Sequence, residues 1–370
     1  MQEGPQAQGK GRLDYIDWMR GLACVLMFQT HAYDSWLAPA ERKGGFFRYS
    51  QLLGTLPAPL FLFLAGVSLA LAVDSMEARA ATGLQIARST SQRGLRIFLL
   101  ALLFRFQEYA LAFGWAPWTD LLRVDILNVL GLSLVAASIV PLVTRRRQTA
   151  LAASLALLIS LVTPLLWTTH KPDFLPWWAA TYINGGHTDF QPKSWLFPLF
   201  PWMAFAFAGC AAGLWLIQAR KSGLERRAVL LLGTIGVALG ALALRLDSLP
   251  VTIYPVYDFW HTSPNFFLLR VAILLVLLAI AYGWLRLRPG KLWSPLLQLG
   301  TTSLLVYWVH VPIVYGRFSL MPKQASSIAL ASMGLAALGI AMTMLSLLRT
   351  RTRGRGFQRI SNGECRVSNG

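Results

Sequence analysis

The segment RLDYIDWMRGLACVLMFQTHAYDSW, Arg12 to Trp36, is long and apolar enough to span a bilayer, yet it carries Asp17 and Arg20 near one end and His31 and Asp34 near the other. In hydrocarbon such charges are expensive unless they are paired or face water. Asp17, Arg20, Cys24, Met27, His31 and Asp34 are three, four, three, four and three positions apart, so a helix gathers them on one stripe. The spacing predicts the polar lining of a protein interior, with ionisable groups towards both membrane faces.

Working outward, the chain of 370 residues is 55% hydrophobic and only 14% charged. This composition excludes a soluble domain, and the length excludes a single anchor. Apolar runs of membrane length fall at about residues 13–37, 54–73, 95–113, 121–143, 149–167, 196–217, 228–247, 265–286, 296–316 and 324–348. The runs are continuous rather than alternating, which favours helices over a β-barrel. The expected fold is therefore all-α: a polytopic integral membrane helical bundle of about ten transmembrane helices. Ala38 and Ala40 offer a signal-cleavage pattern, but a signal core is short and uninterrupted, so this segment reads as a retained span.

The net charge of +18 does not indicate nucleic acid, because the cations sit in short clusters between apolar runs. Alternate loops hold them: Lys10 and Arg12; Arg79, Arg88, Arg93 and Arg96; Arg145, Arg146 and Arg147; Arg220, Lys221, Arg226 and Arg227; Arg286, Arg288 and Lys291; then Arg349 to Arg366. The positive-inside rule puts these clusters, and both termini, in the cytoplasm. A single transmembrane domain is expected over 1–350, and a basic disordered cytoplasmic tail over 351–370. Cys24, Cys210 and Cys365 form no CxxC or zinc spacing, so neither a disulfide framework nor a metal site is expected.

On this topology all five histidines, His31, His170, His187, His261 and His310, fall on the outer side. The outer loops 168–195 (TTHKPDFLPWWAATYINGGHTDFQPKSW) and 251–265 (VTIYPVYDFWHTSPN) are rich in aromatics and amides. Interfacial belts explain such aromatics, and so does a cap over a sugar pocket, with Asp258 and His261 as candidate acceptor ligands. His31 is the candidate general base, with Asp34 one turn on to fix its tautomer. His310, in SLLVYWVHVPIVYG beside Tyr307, lies at similar depth and is a candidate acceptor ligand or a structural hydrogen-bonding residue, since Pro312 disturbs the helix there. Arg105 with Glu108, Arg123 with Asp125, and Arg245 with Asp247 read as local ion pairs. Arg270 has no acidic residue within a turn, which marks it for an anionic ligand or for a partner such as Asp34. At the inner end Asp17 and Arg20 either pair with each other or, with Arg12, Arg93 and Arg96, serve a phosphate-bearing cofactor. No GxxxxGK[ST], GxGxxG, HExxH or GxSxG motif is present. On residues alone an enzyme and a transporter stay open.

The first segment, the run PAPLFLFLAGVSLAL from Pro57 to Leu71 and the late LGTTSLLVYWVH from Leu299 to His310 together resemble the bacterial heparan-alpha-glucosaminide N-acetyltransferase-like family of membrane proteins, within the wider transmembrane acyltransferase group. The resemblance implies a helical bundle that passes an acetyl group from cytoplasmic acetyl-CoA, or another acyl-CoA, to a sugar on the other side. It matches Asp17, Arg20 and Gly21 to the family's DxxRG motif at the donor entrance. His31 matches the histidine of the broader acyltransferase-3 type.

The leading expectation is thus an acyl-CoA-dependent membrane acyltransferase of a bacterial inner membrane, modifying a sugar hydroxyl or amine at the extracytoplasmic face. His31 and Asp34 are its catalytic candidates, and Arg270, His310, Tyr307, His261 and Asp258 are its acceptor ligands. Its expected partners are a small-molecule or glycan acceptor and membrane lipids, with a homodimer left open and no nucleic acid. The alternatives are a transporter or flippase using the polar stripe, and a sensor built on His170, His187 and His261.

Overall fold

A computed structural model describes residues 13–185, 197–250, 253–256, 258–287, 293–316 and 319–364, excluding the side chains of 353–364. Arg12 and His187 lie outside the described residues. The chain is helical, with no strand among the described residues and one isolated bridge between Leu37 and Ser326. The α-helices are α1 (Asp14–Trp36), α2 (Gly45–Gly54), α3 (Pro57–Glu77), α4 (Gly83–Leu111), α5 (Ile126–Ala137), α6 (Arg145–Thr168), α7 (Trp177–Asn184), α8 (Leu199–Lys221), α9 (Glu225–Asp247), α10 (Pro264–Leu287), α11 (Pro295–Thr301), α12 (Ser303–Tyr315) and α13 (Ile328–Glu364).

Six helical stretches are long and apolar enough to cross a membrane: Gly45–Glu77, α6, α8, α9, α10 and Ile328–Thr352. A seventh arises if α11 and α12, bent by 93° at Thr302, form one broken span. Only 22% of the apolar window is buried within the protein in both α9 and α13, so most of those faces need lipid. The chain is an integral multi-pass membrane protein. Helices α1, α4 and α5 stand where the other three spans are expected. The first two are long but charged, and α5 is short.

Several boundaries differ from the expected ones for local reasons. Helix α4 starts at Gly83 rather than near residue 95, because Thr82 and Gln85 form a capping box ahead of its basic first turns. Its leucines Leu95, Leu99 and Leu103 nevertheless form an exposed stripe. Asp125 caps α5 with a second box through Asn128, shortening that span. Helix α7 interrupts the expected loop 168–195 and ends on Gly185, whose φ of +83° few other residues tolerate. Span nine breaks at Thr302, whereas α12 runs through Pro312.

Two compact units divide the chain, Met1–Ile16 with Ala58–Leu287 and Asp17–Pro57 with Arg288–Gly370. In the first, α3 and α8 meet backbone to backbone: a Cβ on Gly66 would overlap the Ala206 carbonyl, and one on Gly209 the Phe63 carbonyl. Gly209 and Gly213 supply the small-xxx-small spacing that membrane helices use for close approach. At one end of this unit Arg145 spans Asp74 (3.3 Å) and Glu77 (3.5 Å), and Lys221 also reaches Asp74 (2.6 Å). These contacts join the end of α3, the start of α6 and the end of α8, so the helices alternate in direction, as a short-looped bundle requires. Tyr15 Oη donates to Glu225 (3.1 Å) and stacks edge-on against Tyr282 (5.4 Å), bringing the start of α9 and the end of α10 together.

In the second unit α1 crosses α11 at Gly21 and Gly300. A Cβ on either would overlap a backbone carbonyl of the other helix, Leu296 and Asp17 respectively. The break after α11 is braced by α13: Gln298 Nε2 donates to Ser346 Oγ (2.9 Å), which also hydrogen-bonds Thr302 Oγ1 (2.6 Å). The far end of α1 is held by the segment preceding α13. Ser326 N donates to Trp36 O (2.9 Å), Gln324 N to Ser35 O (2.9 Å), and Trp36 Nε1 to Ser319 Oγ (3.0 Å).

Candidate active site

Ser35 Oγ donates to Val314 O (2.8 Å), which fixes the last turns of α1 against α12, and there His31 meets His310. Nδ1 of His31 lies 2.9 Å from Nε2 of His310, the rings nearly parallel at 12° with centroids 5.1 Å apart. The other nitrogen of His310, Nδ1, lies 3.0 Å from the Val306 carbonyl oxygen. A carbonyl only accepts, so neutral His310 carries its hydrogen on Nδ1 and presents a lone pair at Nε2. Nδ1 of His31 must then be the donor, which leaves the lone pair of neutral His31 on Nε2. Both neighbours of His310 in this chain of bonds are thereby satisfied.

Exposure separates the two rings. His310 is fully buried, with Phe28 at 5.0 Å and Tyr307 at 5.8 Å between ring centroids, and Tyr307 is itself buried. His31 is half-buried, so it is the member of the pair with surface to offer a substrate. His310 and Tyr307, expected as acceptor ligands, stand behind His31 rather than at a surface.

Asp34 is exposed and has other partners. Tyr315 Oη donates to Asp34 Oδ2 (3.0 Å), the Arg42 guanidinium lies 3.8 Å from Oδ1, and Arg42 also binds the Asp34 carbonyl. The ring of Tyr315 packs edge-on against His31 at 5.2 Å. The nitrogen that a tautomer-fixing carboxylate would take, His31 Nδ1, is engaged by His310. Arg42 and Tyr315 escaped the sequence reading. Tyr315 stands five positions after His310, and that short spacing is its only signal.

At the other end of the stripe Arg20 Nη1 donates to Asp17 Oδ1 at 2.8 Å, with the Asp17 carboxylate buried and Arg20 half-buried. The two form an ion pair along one turn of α1. They lie at the α1–α11 crossing, where the close approach of Leu296 leaves no room for a side chain on Gly21, the residue after Arg20.

The first unit holds the remaining candidates. Arg270 is 5% exposed and lies over the Phe266 ring at 4.5 Å, with Nε lacking a hydrogen-bond partner and no ion pair among the described residues. Phe266 also packs against Phe259 (5.8 Å) and Trp260 (5.9 Å) of the 258–263 turn. Asp258 organises that turn, accepting from Trp260 N (3.0 Å) and sitting 2.7 Å from His261 Nδ1. His261 and His170 are exposed, as are Arg93 and Arg96 on α4. Arg105 pairs with Asp125, the residue that caps α5, and so ties α4 to α5. Asn128 donates to Tyr182 Oη (3.2 Å), and burial raises the pKa of that phenol, so Tyr182 stays protonated at neutral pH. Among the described residues no three His, Cys, Asp or Glu side chains converge as a metal site would need.

A multi-pass membrane protein with an interior histidine pair is the class these features define. Residues 12–245 match the family described as heparan-alpha-glucosaminide N-acetyltransferase, catalytic, which is well over half of the chain. The chain belongs to this membrane acetyltransferase family. The matched segment includes Asp17, Arg20, His31 and Asp34, and it ends before Arg270 and His310. No curated protein matches the chain.

Proposed function

We propose that the protein transfers an acetyl group from cytoplasmic acetyl-CoA, or another acyl group from its CoA thioester, to a sugar hydroxyl or amine at the extracytoplasmic face of a bacterial inner membrane. The observation that carries this reading is the half-buried His31 of a family acetyltransferase, whose Nδ1 is engaged by His310 so that general-base work falls to Nε2. His31 Nε2 takes the acceptor proton as the acceptor oxygen or nitrogen bonds to the acetyl carbon. The carbon–sulfur bond then breaks, and the same proton passes from His31 to the departing thiolate.

Asp17 lies fourteen residues and Arg20 eleven residues before His31, about 21 Å and about 16 Å along a straight helix. An extended acyl-CoA can bridge that length, so Arg20, oriented by Asp17, is assigned to the donor's phosphate-bearing end. The termini are placed in the cytoplasm by the distribution of arginine and lysine. Within the first unit, Arg270 is assigned to an anionic ligand, with Asp258 and His261 on the outer loop. Asp34 acts through Tyr315 on the His31 ring.

The test is release of free CoA by the purified protein from acetyl-CoA in the presence of amino sugars and sugar alcohols. Acceptor-dependent release that falls at least about 100-fold in His31→Ala supports the reading. No release with any acceptor contradicts it. A transporter is the second reading, favoured by the broken pair α11–α12, a device common at transport sites. It predicts sugar uptake into proteoliposomes without CoA release.

A further inference from the structure

We propose that His310 is a positioning residue for the transfer reaction: it fixes the tautomer of His31 and holds the imidazolium that forms during the proton transfer. The inference rests on the acetyltransferase reading above and deepens it. In many hydrolases a carboxylate holds the second nitrogen of the catalytic histidine. Here the nearby carboxylate, Asp34, is engaged by Tyr315 and Arg42, and the partner of His31 Nδ1 is a neutral imidazole.

Two features make His310 able to do this. Its Nδ1 is anchored at 3.0 Å on the Val306 carbonyl one turn earlier in its own helix, so its hydrogen is committed and Nε2 must accept. Its ring has no exposed surface, which disfavours the doubly protonated form that would reverse the hydrogen bond. When His31 Nε2 takes the acceptor proton, the Nδ1–H of His31 stays in place. Its bond to His310 Nε2 becomes charge-assisted and shortens as the positive charge develops. His310 itself neither gains nor loses a proton and touches no substrate.

Three substitutions separate this role from simple packing. His310→Gln puts an amide oxygen near the position of Nε2 and keeps the acceptor. His310→Asn keeps a group near Nδ1 for Val306 and loses the acceptor. His310→Leu loses both and fills the site with an apolar side chain that a membrane interior tolerates. The expected result is a fall in kcat of about 10–100-fold for His310→Leu and His310→Asn, with KM for acetyl-CoA changed less than about threefold, and recovery of most of the rate in His310→Gln. In a His31→Ala background His310→Leu is expected to lower the residual rate no further. Equal rates for the Gln, Asn and Leu variants, each still monodisperse and melting near the wild type, overturn the assignment. So does an undiminished effect of His310→Leu in the His31→Ala background. Absence of CoA release in the wild type, or full activity in His31→Ala, instead overturns the underlying acetyltransferase reading, so the two failures are distinguishable.

Discussion

Asp34→Asn keeps an oxygen that can accept from Tyr315 Oη and removes only the charge facing Arg42, so its effect on turnover is expected to be small, about tenfold or less, in a CoA-release assay. A loss as deep as that of His31→Ala would show instead that Asp34 acts on His31 directly. Arg270→Met gives the second expectation at this scale. Replacing buried charge by an apolar side chain of similar volume is often neutral or stabilising by about 1–4 kcal/mol. The variant is therefore expected to melt no lower than wild type while its affinity for an anionic sugar falls at least about tenfold, as thermal melts and binding titrations can measure. A lower melting point with unchanged affinity would make Arg270 structural. Parts of this site were legible in the chain. The i, i+3 and i+4 stripe located His31, and equal depth located His310. The partner of Asp34 was not legible, because adjacency along one helix face says nothing of Tyr315 and Arg42, which reach the carboxylate from elsewhere in the sequence.

Among the elements, the crossing of α1 and α11 holds the Asp17–Arg20 end of the stripe. Gly21→Ala and Gly300→Ala each drive a Cβ into the backbone of the other helix, and overpacking of this kind costs about 1–3 kcal/mol or more. Both variants are expected to lose thermal stability and acetyl-CoA turnover together, whereas Gly339→Ala on α13, which has open space around its Cβ position, is expected to leave both unchanged. Hydropathy located the helices because burial in lipid needs about twenty apolar residues, a demand that any window average detects. It missed the break at Thr302, since hydroxyl side chains lower hydropathy too little to interrupt a span. The visible breaker, Pro312, proved compatible with α12. The basic start of α4 was missed for the opposite reason: arginine is a good helix former and a poor membrane residue.

Across the whole molecule, alternation of helix direction is visible in the first unit, where Arg145, Lys221 and their carboxylate partners meet at one end. Orientation relative to the membrane is a separate matter that impermeant thiol labelling resolves. In intact cells the reagent is expected to reach Lys171→Cys and not Arg147→Cys, and the converse would invert the proposed topology. The central claim is that His31 mediates acetyl transfer between the two faces. Sealed proteoliposomes loaded with an amino sugar and supplied outside with radiolabelled acetyl-CoA test it most directly. Acetylated sugar is expected in the lumen with wild-type protein and at least about 100-fold less with His31→Ala. Lumenal product formed equally by His31→Ala, or none formed by the wild type while CoA accumulates, would contradict it.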